Sequence, residues 1–561
     1  MKPLHSLALA TASLALMFCT TTLAQSLPSA GSLNQQIERE LPQRPAESAP
    51  ELRIEKDEAT TAPAAGQQRI PVKSLRITGS RIYSSAELVA VTGFSVESEL
   101  TLGELRGFAA AIAGHYRENG YPLAQAYLPA QDIVDGQVTI AVLEGEYGEL
   151  SLRNQSKLAD GVANDLLDGL NSGDIIALDP LESRMLLLSD IPGVEVRSTL
   201  VPGTSVGAAD LIVDVLPGQS FSGSLSADNL GNRYTGENRL GASLNVNNPS
   251  GSGDLLSLRV LTSDAGLHYG RAAYQLPFGR LNTGVAYSHM QYDLGKEFRS
   301  LDADGTASIA SLYGSYPLIR SRRQNLYVQL NLEDKSFQDR VDATSTVADK
   351  KARVAMLTLN GDARDRFGGG GWNSYALTWS SGDLDIRNAE ARAQDAATVR
   401  SDGRYDKLTL TAARLQHVSE RLSLYVAFNG QIASTNLDSS EKLGLGGISG
   451  VRAYPSGEAY GDQGYVLNLE ARTPLRSLSE KVPGQLQLVG FVDTGRVGLN
   501  KSPWDAGNNY RSLHGTGLGL NWAQHNDFAV TASLARRLGN EPATSVPDDK
   551  SRFWLQAVMY F

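Results

Sequence analysis

The sequence predicts a β-rich chain: a 16-stranded antiparallel transmembrane β-barrel preceded by two small α+β modules and a plug-like N-terminal helix. Three observations carry that expectation. From Pro217 to Phe561 no helix-period segment survives, and stretches of ten to fifteen residues alternate polar with apolar side chains. The connections between these stretches are by turns long and tight, and the strand count is even, as single-chain bacterial barrels require. Before residue 217 the order strand, helix, helix, strand, strand occurs twice.

The chain opens MKPLHSLALATASLALMFCTTTLAQS, with Lys2 as a positive start, an apolar stretch from Leu7 to Phe18 and Ala24 at the cleavage position. Residues 1–24 therefore read as a secretory signal peptide. Cys19 is the single cysteine and lies inside it, so the exported chain has no disulfide framework. No later run of eighteen apolar residues suggests a membrane helix. Residues 25–71 read as a helix and its linker: LNQQIEREL puts Leu33, Ile37 and Leu41 on one face, and Pro42, Pro45 and Pro50 end it. The following ELRIEKDEATTAPAAGQQRIP is charged, alanine-rich and proline-punctuated, with too little apolar surface to fold alone.

The two modules span 72–146 and 147–216. In the first, the helix of TLGELRGFAAAIAGHYRENG packs through Leu102, Leu105, Phe108, Ile112 and Tyr116 and stops at Asn119-Gly120. GTSVG at 203–207 matches a hydrolase nucleophile pattern, but Ser205 lies between two strand-like runs, where a glycine-rich hairpin is expected.

The barrel spans 217–561. LYVQLNLEDK alternates most clearly, with Leu326, Val328, Leu330 and Leu332 opposite Tyr327, Gln329, Asn331, Glu333 and Lys335. VLNLEAR sets Asn468, Glu470 and Arg472 against Leu467, Leu469 and Ala471. GKEFRSLDADG and 338–351 read as long loops, FGRLN as a tight turn, and the chain ends on the aromatic strand FWLQAVMYF. A net charge of −10 argues against a nucleic-acid binder, which needs a clustered basic surface. Seven scattered histidines, no GxxxxGK[ST] loop and no nucleophile, base and acid in register lead to the expectation of no metal, no nucleotide, no cofactor and no enzyme.

One long loop remains, GISGVRAYPSGEAYGDQGY at 447–465, with a single arginine near its start. On the second strand after that loop, GQLQLVGFVDTGRVG, Asp493 shares the lumen-facing parity of Gln485 and Gln487. A carboxylate there wants a cation, and Arg452 is the candidate if its loop folds back inside; otherwise it is a solvated surface charge.

Signal peptide, tethered helix, tandem modules, about sixteen strands, GVRAY and GFVDTG together resemble the two-partner secretion outer-membrane transporters of the haemolysin/haemagglutinin secretion-activation type. These belong to the superfamily of barrels with periplasmic POTRA domains. DNLGNRYTGENRLGASLNVNNPSGSGDLLSL also looks like that family through Asp228, Asn229, Gly231, Thr235, Gly236, Asn248, Pro249 and Asp254, as does AYLPAQDIVDGQVTIAVLEG. The resemblance implies that Arg452 pairs with Asp493 in the lumen, with Val451 and Tyr454 beside the arginine and Phe491 and Gly495 beside the aspartate. The family usually has glycine where this chain has Ala453, and a tip needing positive φ would strain an alanine. It also implies that the helix of Leu33, Ile37 and Leu41 plugs the pore and leaves during transport. A secreted exoprotein would be the partner, captured in the periplasm at a strand edge around Leu123, Tyr127 and Leu128 beside Phe108 and Ile112, unless these side chains only fill the module's core. Outer-membrane lipid and, during biogenesis, the barrel assembly machinery complete the expected partners. The alternative is an outer-membrane assembly factor that inserts other barrels, since it shares the loop and the modules.

Overall fold

The computed structural model describes residues 27–39, 51–54, 68–479 and 482–561. The signal peptide expected at 1–24 and the helix position Leu41 lie outside the described residues. Sixteen antiparallel strands, from Phe221–Asp228 to Ser551–Tyr560, close into a barrel. Period-two alternation builds it: Leu330, Leu332, Leu357 and Leu359 stay exposed on the outer face, whereas Lys335 and Gln431 are buried on the inner one.

Two strands, Gln324–Val341 and Thr346–Asp365, are 18 and 20 residues long, beyond the nine to eleven that a tilted crossing needs. The long loop expected at 338–351 is thus mostly hairpin, because the ladder continues from Gln338 opposite Asp349 to Val341 opposite Thr346. The first and last strands share a short ladder, Ser224 opposite Tyr560 to Asp228 opposite Gln556. Asn229 extends that seam with its side chain, donating to the Phe553 carbonyl at 2.9 Å and accepting from the Leu555 amide at 2.7 Å. Asp228 pairs with Arg239 at 2.8 Å.

In the first module Ser74–Thr78, Gln137–Leu143 and Gln125–Tyr127 form a three-stranded sheet, with Gln125–Tyr127 at its edge. Helices Ser85–Thr92 and Leu102–Glu118 cover it, each begun by a capping box, Ser84 with Glu87 and Thr101 with Glu104. Leu88, Leu105, Ile112, Tyr116 and Ile140 are fully enclosed between helices and sheet. The second module pairs Glu146–Asn154, Ala208–Pro217 and Val194–Pro202, and GTSVG forms the hairpin between the last two, with the Gly203 amide donating to the Ala208 carbonyl.

The linker departs from its expectation. Glu51–Ile54 adds a fourth, parallel strand to this sheet, in register from Glu51 opposite Arg197 to Ile54 opposite Leu200. ELRI cannot fold alone, but Leu52 and Ile54 find an apolar surface on the second module's core. That module also grips the barrel rim: Asp190 takes both Arg320 Nε and Nη2, at 2.7 and 2.6 Å, and the Ala159 amide donates to the Gly251 carbonyl. The turn holding Gly251 is shaped by Asn248, at φ 52°, and by Asp254, which accepts from Ser250 and Tyr274.

Candidate functional site: a lumen held by its own chain

Outer loop 434–462 folds back into the barrel. Tight local pairing shapes it: Leu443–Gly444 pairs with Tyr460–Gly461, the Val451 amide donates to the Leu445 carbonyl, and the Tyr454 amide to the Val451 carbonyl. Gly447 and Gly457 take φ of 97° and 81°, a backbone that L side chains rarely adopt. Ala453 does not; it is buried, and its β-carbon lies where a β-carbon on Gly515 would come within 2.6 Å. Alanine at this position is therefore unstrained, with Gly515 leaving the room it needs.

The turn delivers Arg452 onto the strand Gln485–Gly498, the second barrel strand after the loop. Its Nε and Nη2 donate to Asp493 Oδ2 and Oδ1 at 2.9 and 2.7 Å, and its own backbone amide adds a third bond at 3.1 Å. Asn468 donates to Asp493 Oδ1 at 2.8 Å and to the Gly450 carbonyl at 2.8 Å, tying carboxylate and loop together. Nη1 of Arg452 meets Glu470 at 2.7 Å, and Glu470 in turn holds Arg472 at 2.7 Å. The Arg452 guanidinium lies 3.6 Å from the centroid of the Phe491 ring, and its carbonyl accepts from Trp554 Nε1 at 2.7 Å. Asp493 is fully buried and Arg452 is 8% exposed. Every nitrogen of the guanidinium is thus hydrogen-bonded and one of its faces stacked, which offsets the desolvation of bringing it inside.

Val451 and Tyr454 are buried beside the arginine with Leu445, Phe491 and Val497. Tyr454 donates to the Glu541 carbonyl at 2.9 Å. Gly495 presents bare backbone to Leu445. Two carboxylates escaped the sequence reading as partners. Glu470 was on the lumen parity but had no distinguishing motif. Glu458, fully buried, accepts from Arg511 at 2.5 Å and from Thr544 and Ser545, pinning the loop to residues 538–550.

The N-terminal helix Ala30–Arg39 occupies the same end of the lumen. Leu33 and Ile37 are buried against Tyr234, Leu267, Tyr269, Met290 and Phe337. The Ala30 amide donates to Asp339 at 2.7 Å, Ser29 pairs with Ser439 at 2.8 Å, and Gln36 donates to the Leu230 carbonyl. Helix and loop touch: a β-carbon on Gly31 would come within 2.6 Å of Ser440.

The five apolar residues of the first module divide. Ile112 is fully buried in the core, so it is unavailable to a passenger, because its helix face turns onto the sheet. Leu123 packs towards the second module, and Phe108 and Leu128 are half-buried against the first module's core. Tyr127 is 45% exposed on the edge strand. Among the described residues no cluster of histidine, cysteine and carboxylates is arranged to hold a metal ion, and no helix is long and apolar enough to cross a membrane.

The chain is similar to known proteins. Residues 207–522 match the model of the haemolysin secretion/activation protein family ShlB/FhaC/HecB, and residues 70–145 match the ShlB-type POTRA domain. The heme/hemopexin transporter protein HuxB of Haemophilus influenzae is 29% identical over the full length of both chains. The outer membrane transporter CdiB of Dickeya dadantii is 22% identical over 76% of each. Among solved structures, CdiB from Escherichia coli superposes with a TM-score of 0.70 at 20% identity, covering 90% of this chain and 93% of that one. BamA from Haemophilus ducreyi lacking POTRA domains 1-3 gives 0.52 at 13% identity, covering 88% and 100%. With a family match over more than half its length, the chain belongs to the ShlB/FhaC/HecB haemolysin secretion/activation family, the POTRA-bearing outer-membrane transporters of two-partner secretion.

Proposed function

We propose that this protein captures an unfolded exoprotein with its periplasmic modules and passes it through its own barrel to the cell surface. The observation that carries the reading is the double occupancy of the lumen. Both obstacles, the helix Ala30–Arg39 and the arginine loop, are segments of the same chain, joined to the wall by contacts that can be undone. In this reading residues 25–71 are plug and tether, 72–146 and 147–216 the modules, and 217–561 the barrel.

Capture falls to the edge strand Gln125–Tyr127, paired on one side only, with exposed Tyr127 and half-buried Leu128 and Phe108 as the apolar contacts. An open edge binds extended chain through backbone hydrogen bonds and asks little of its side chains. The Arg452 pair with Asp493 then fixes the loop's direction while the helix withdraws. Outside, folding of the exoprotein removes it from the exchange and gives the outward bias without a nucleotide. Lipid surrounds the apolar outer face, and the barrel assembly machinery inserts the chain. The fold likeness to BamA is shared by both families and does not favour the assembly-factor alternative.

The test is export by Arg452→Ala. Barrel assembly, read by heat-modifiable gel migration, is expected to remain, while the partner protein in the medium falls at least about tenfold. Normal export by a fully assembled variant would sink the lock. Misassembled porins on depletion of the wild-type protein would favour the assembly factor.

A further inference from the structure

Many cations inside the barrel are matched to carboxylates. Lys335 and Lys407 meet Glu441 at 2.9 and 2.7 Å, Lys350 meets Asp438 at 2.6 Å, and Lys442 meets Asp462 at 2.7 Å. Arg259 and Arg271 depart from that pattern. They are direct partners across the neighbouring strands Leu255–Ser263 and His268–Phe278, two like charges opposite each other. Among the described residues neither makes an ion pair or a hydrogen bond. Both are half-buried on the lumen side. Like charges directly opposite destabilise an antiparallel pair, so the wall keeps a repulsion that an anion would relieve.

Their surroundings have room and a suitable lining. Both arginines line a cavity of about 210 Å³ walled by Ser224, Ser243, Asn245 and Ser257, with no carboxylate among its lining residues. Arg271 also borders a second cavity of about 740 Å³ beside the N-terminal helix, which Asn34, Gln35 and Glu38 share. Tyr269, two residues from Arg271 on the same face, donates its hydroxyl to Glu38. A carboxylate of the helix therefore stands at the rim of the arginine pair without closing on it.

We propose that Arg259 and Arg271 form an anion-binding station on the lumen wall, approached by Glu38 of the helix at rest and taking the acidic stretches of the exported polypeptide in transit. The proposal rests on the lumen being the conduit. Guanidinium groups match carboxylate geometry with paired donors, and inside the wall the attraction is less screened than at the surface. A water-facing station also releases what it binds, as conduction through a pore demands.

The experiment is equilibrium binding of a fluorescent ten-residue oligoglutamate to the purified full-length chain in detergent at low salt, with oligolysine as the control. Wild type is expected to bind the acidic peptide, and Arg259→Lys/Arg271→Lys, which keeps the charge but loses the paired donors, to bind it measurably but more weakly. Arg259→Gln/Arg271→Gln should bind it at least about tenfold more weakly, with unchanged heat-modifiable migration, and oligolysine should bind none of them at this site. Undetectable wild-type binding, or equal binding by the glutamine variant, would overturn the station. Partner export by the same glutamine variant is expected to fall, and full export despite lost binding would overturn the transit role. Failure of the transport reading itself is a separate result: no protein leaves the medium when the gene is removed, whatever the peptide does.

Discussion

Gly495 and Leu445 meet so closely that a β-carbon at position 495 would lie 2.4 Å from Leu445 Cδ1. The missing side chain lets the arginine loop lie flat on the wall, two residues along from Asp493. Gly495→Leu is expected to lift the loop and expose Arg452, shortening the half-life of the trypsin cut after it by at least about tenfold, since cleavage follows the open population. Gly490→Leu is the control, because a β-carbon there meets nothing nearer than Leu518 at 3.9 Å. Equal resistance of the two variants would mean that the close approach does not seat the loop.

Asp493 and Glu470 share one guanidinium unequally. Asp493 accepts three bonds from Arg452 and one from Asn468, whereas Glu470 accepts one from Arg452 and spends its other oxygen on Arg472. Asp493→Asn should weaken loop anchoring by about 3–5 kcal/mol, the usual cost of breaking a buried pair. Glu470→Gln should cost roughly 1.5–3 kcal/mol, the scale of one hydrogen bond to a charged group. The urea midpoint of loop release, followed by proteolysis, measures both, and a reversed order would refute this division of labour.

How much of this was legible beforehand depended on the period of each signal. The barrel announces itself because side-chain direction along a strand is local: Leu326 to Lys335 alternate whatever else the chain does. The same parity directs Asp493 inwards, and the family motif supplies Arg452. What could not be read is non-local. Glu51–Ile54 alternates polar and apolar, but over only four residues inside a charged, proline-punctuated stretch, and it becomes a strand through an apolar surface about 140 residues away. Ile112 was legible on the packing face of its helix, but periodicity gives a helix face without saying whether the module's own core or a passenger covers it. Glu458 is one acid in a polar loop until Thr544, Ser545 and Arg511 converge on it.

The first module's helix starts carry an acid-sensitive element. Glu87 accepts from the Ser84 hydroxyl and amide, each at 2.8 Å, and Glu104 from the Thr101 amide and hydroxyl at 2.7 and 2.9 Å. The Ser84 hydroxyl chiefly, and then its amide, hold the Glu87 carboxyl below the usual range; for Glu104 the Thr101 amide leads. A depressed folded value stabilises above the unfolded value, about 4.3, and is lost as pH falls through the folded one. Carboxyl carbon resonances of labelled glutamate should therefore titrate below the ordinary glutamate range for these two residues. Ser84→Ala should return Glu87 towards the ordinary value, and no change on that substitution would remove the hydroxyl as the cause.

Leu52 and Ile54 hold the linker strand on the second module by packing against its core. The strand covers the edge of Val194–Pro202, whose outer N–H and C=O groups would otherwise face water. Leu52→Asp with Ile54→Asp replaces two apolar contacts by carboxylates that lose hydration on docking, so the strand should leave while the remaining three-stranded sheet persists. Hydrogen exchange of the full-length protein reads this directly. Protection in Val194–Pro202 is expected to drop at least about tenfold on the outward-facing amides, with Ala208–Pro217, bonded on both sides, unchanged. Conservative Leu52→Ile should leave both strands protected. If the double aspartate variant keeps its protection, backbone pairing alone holds the edge and the apolar contacts are incidental.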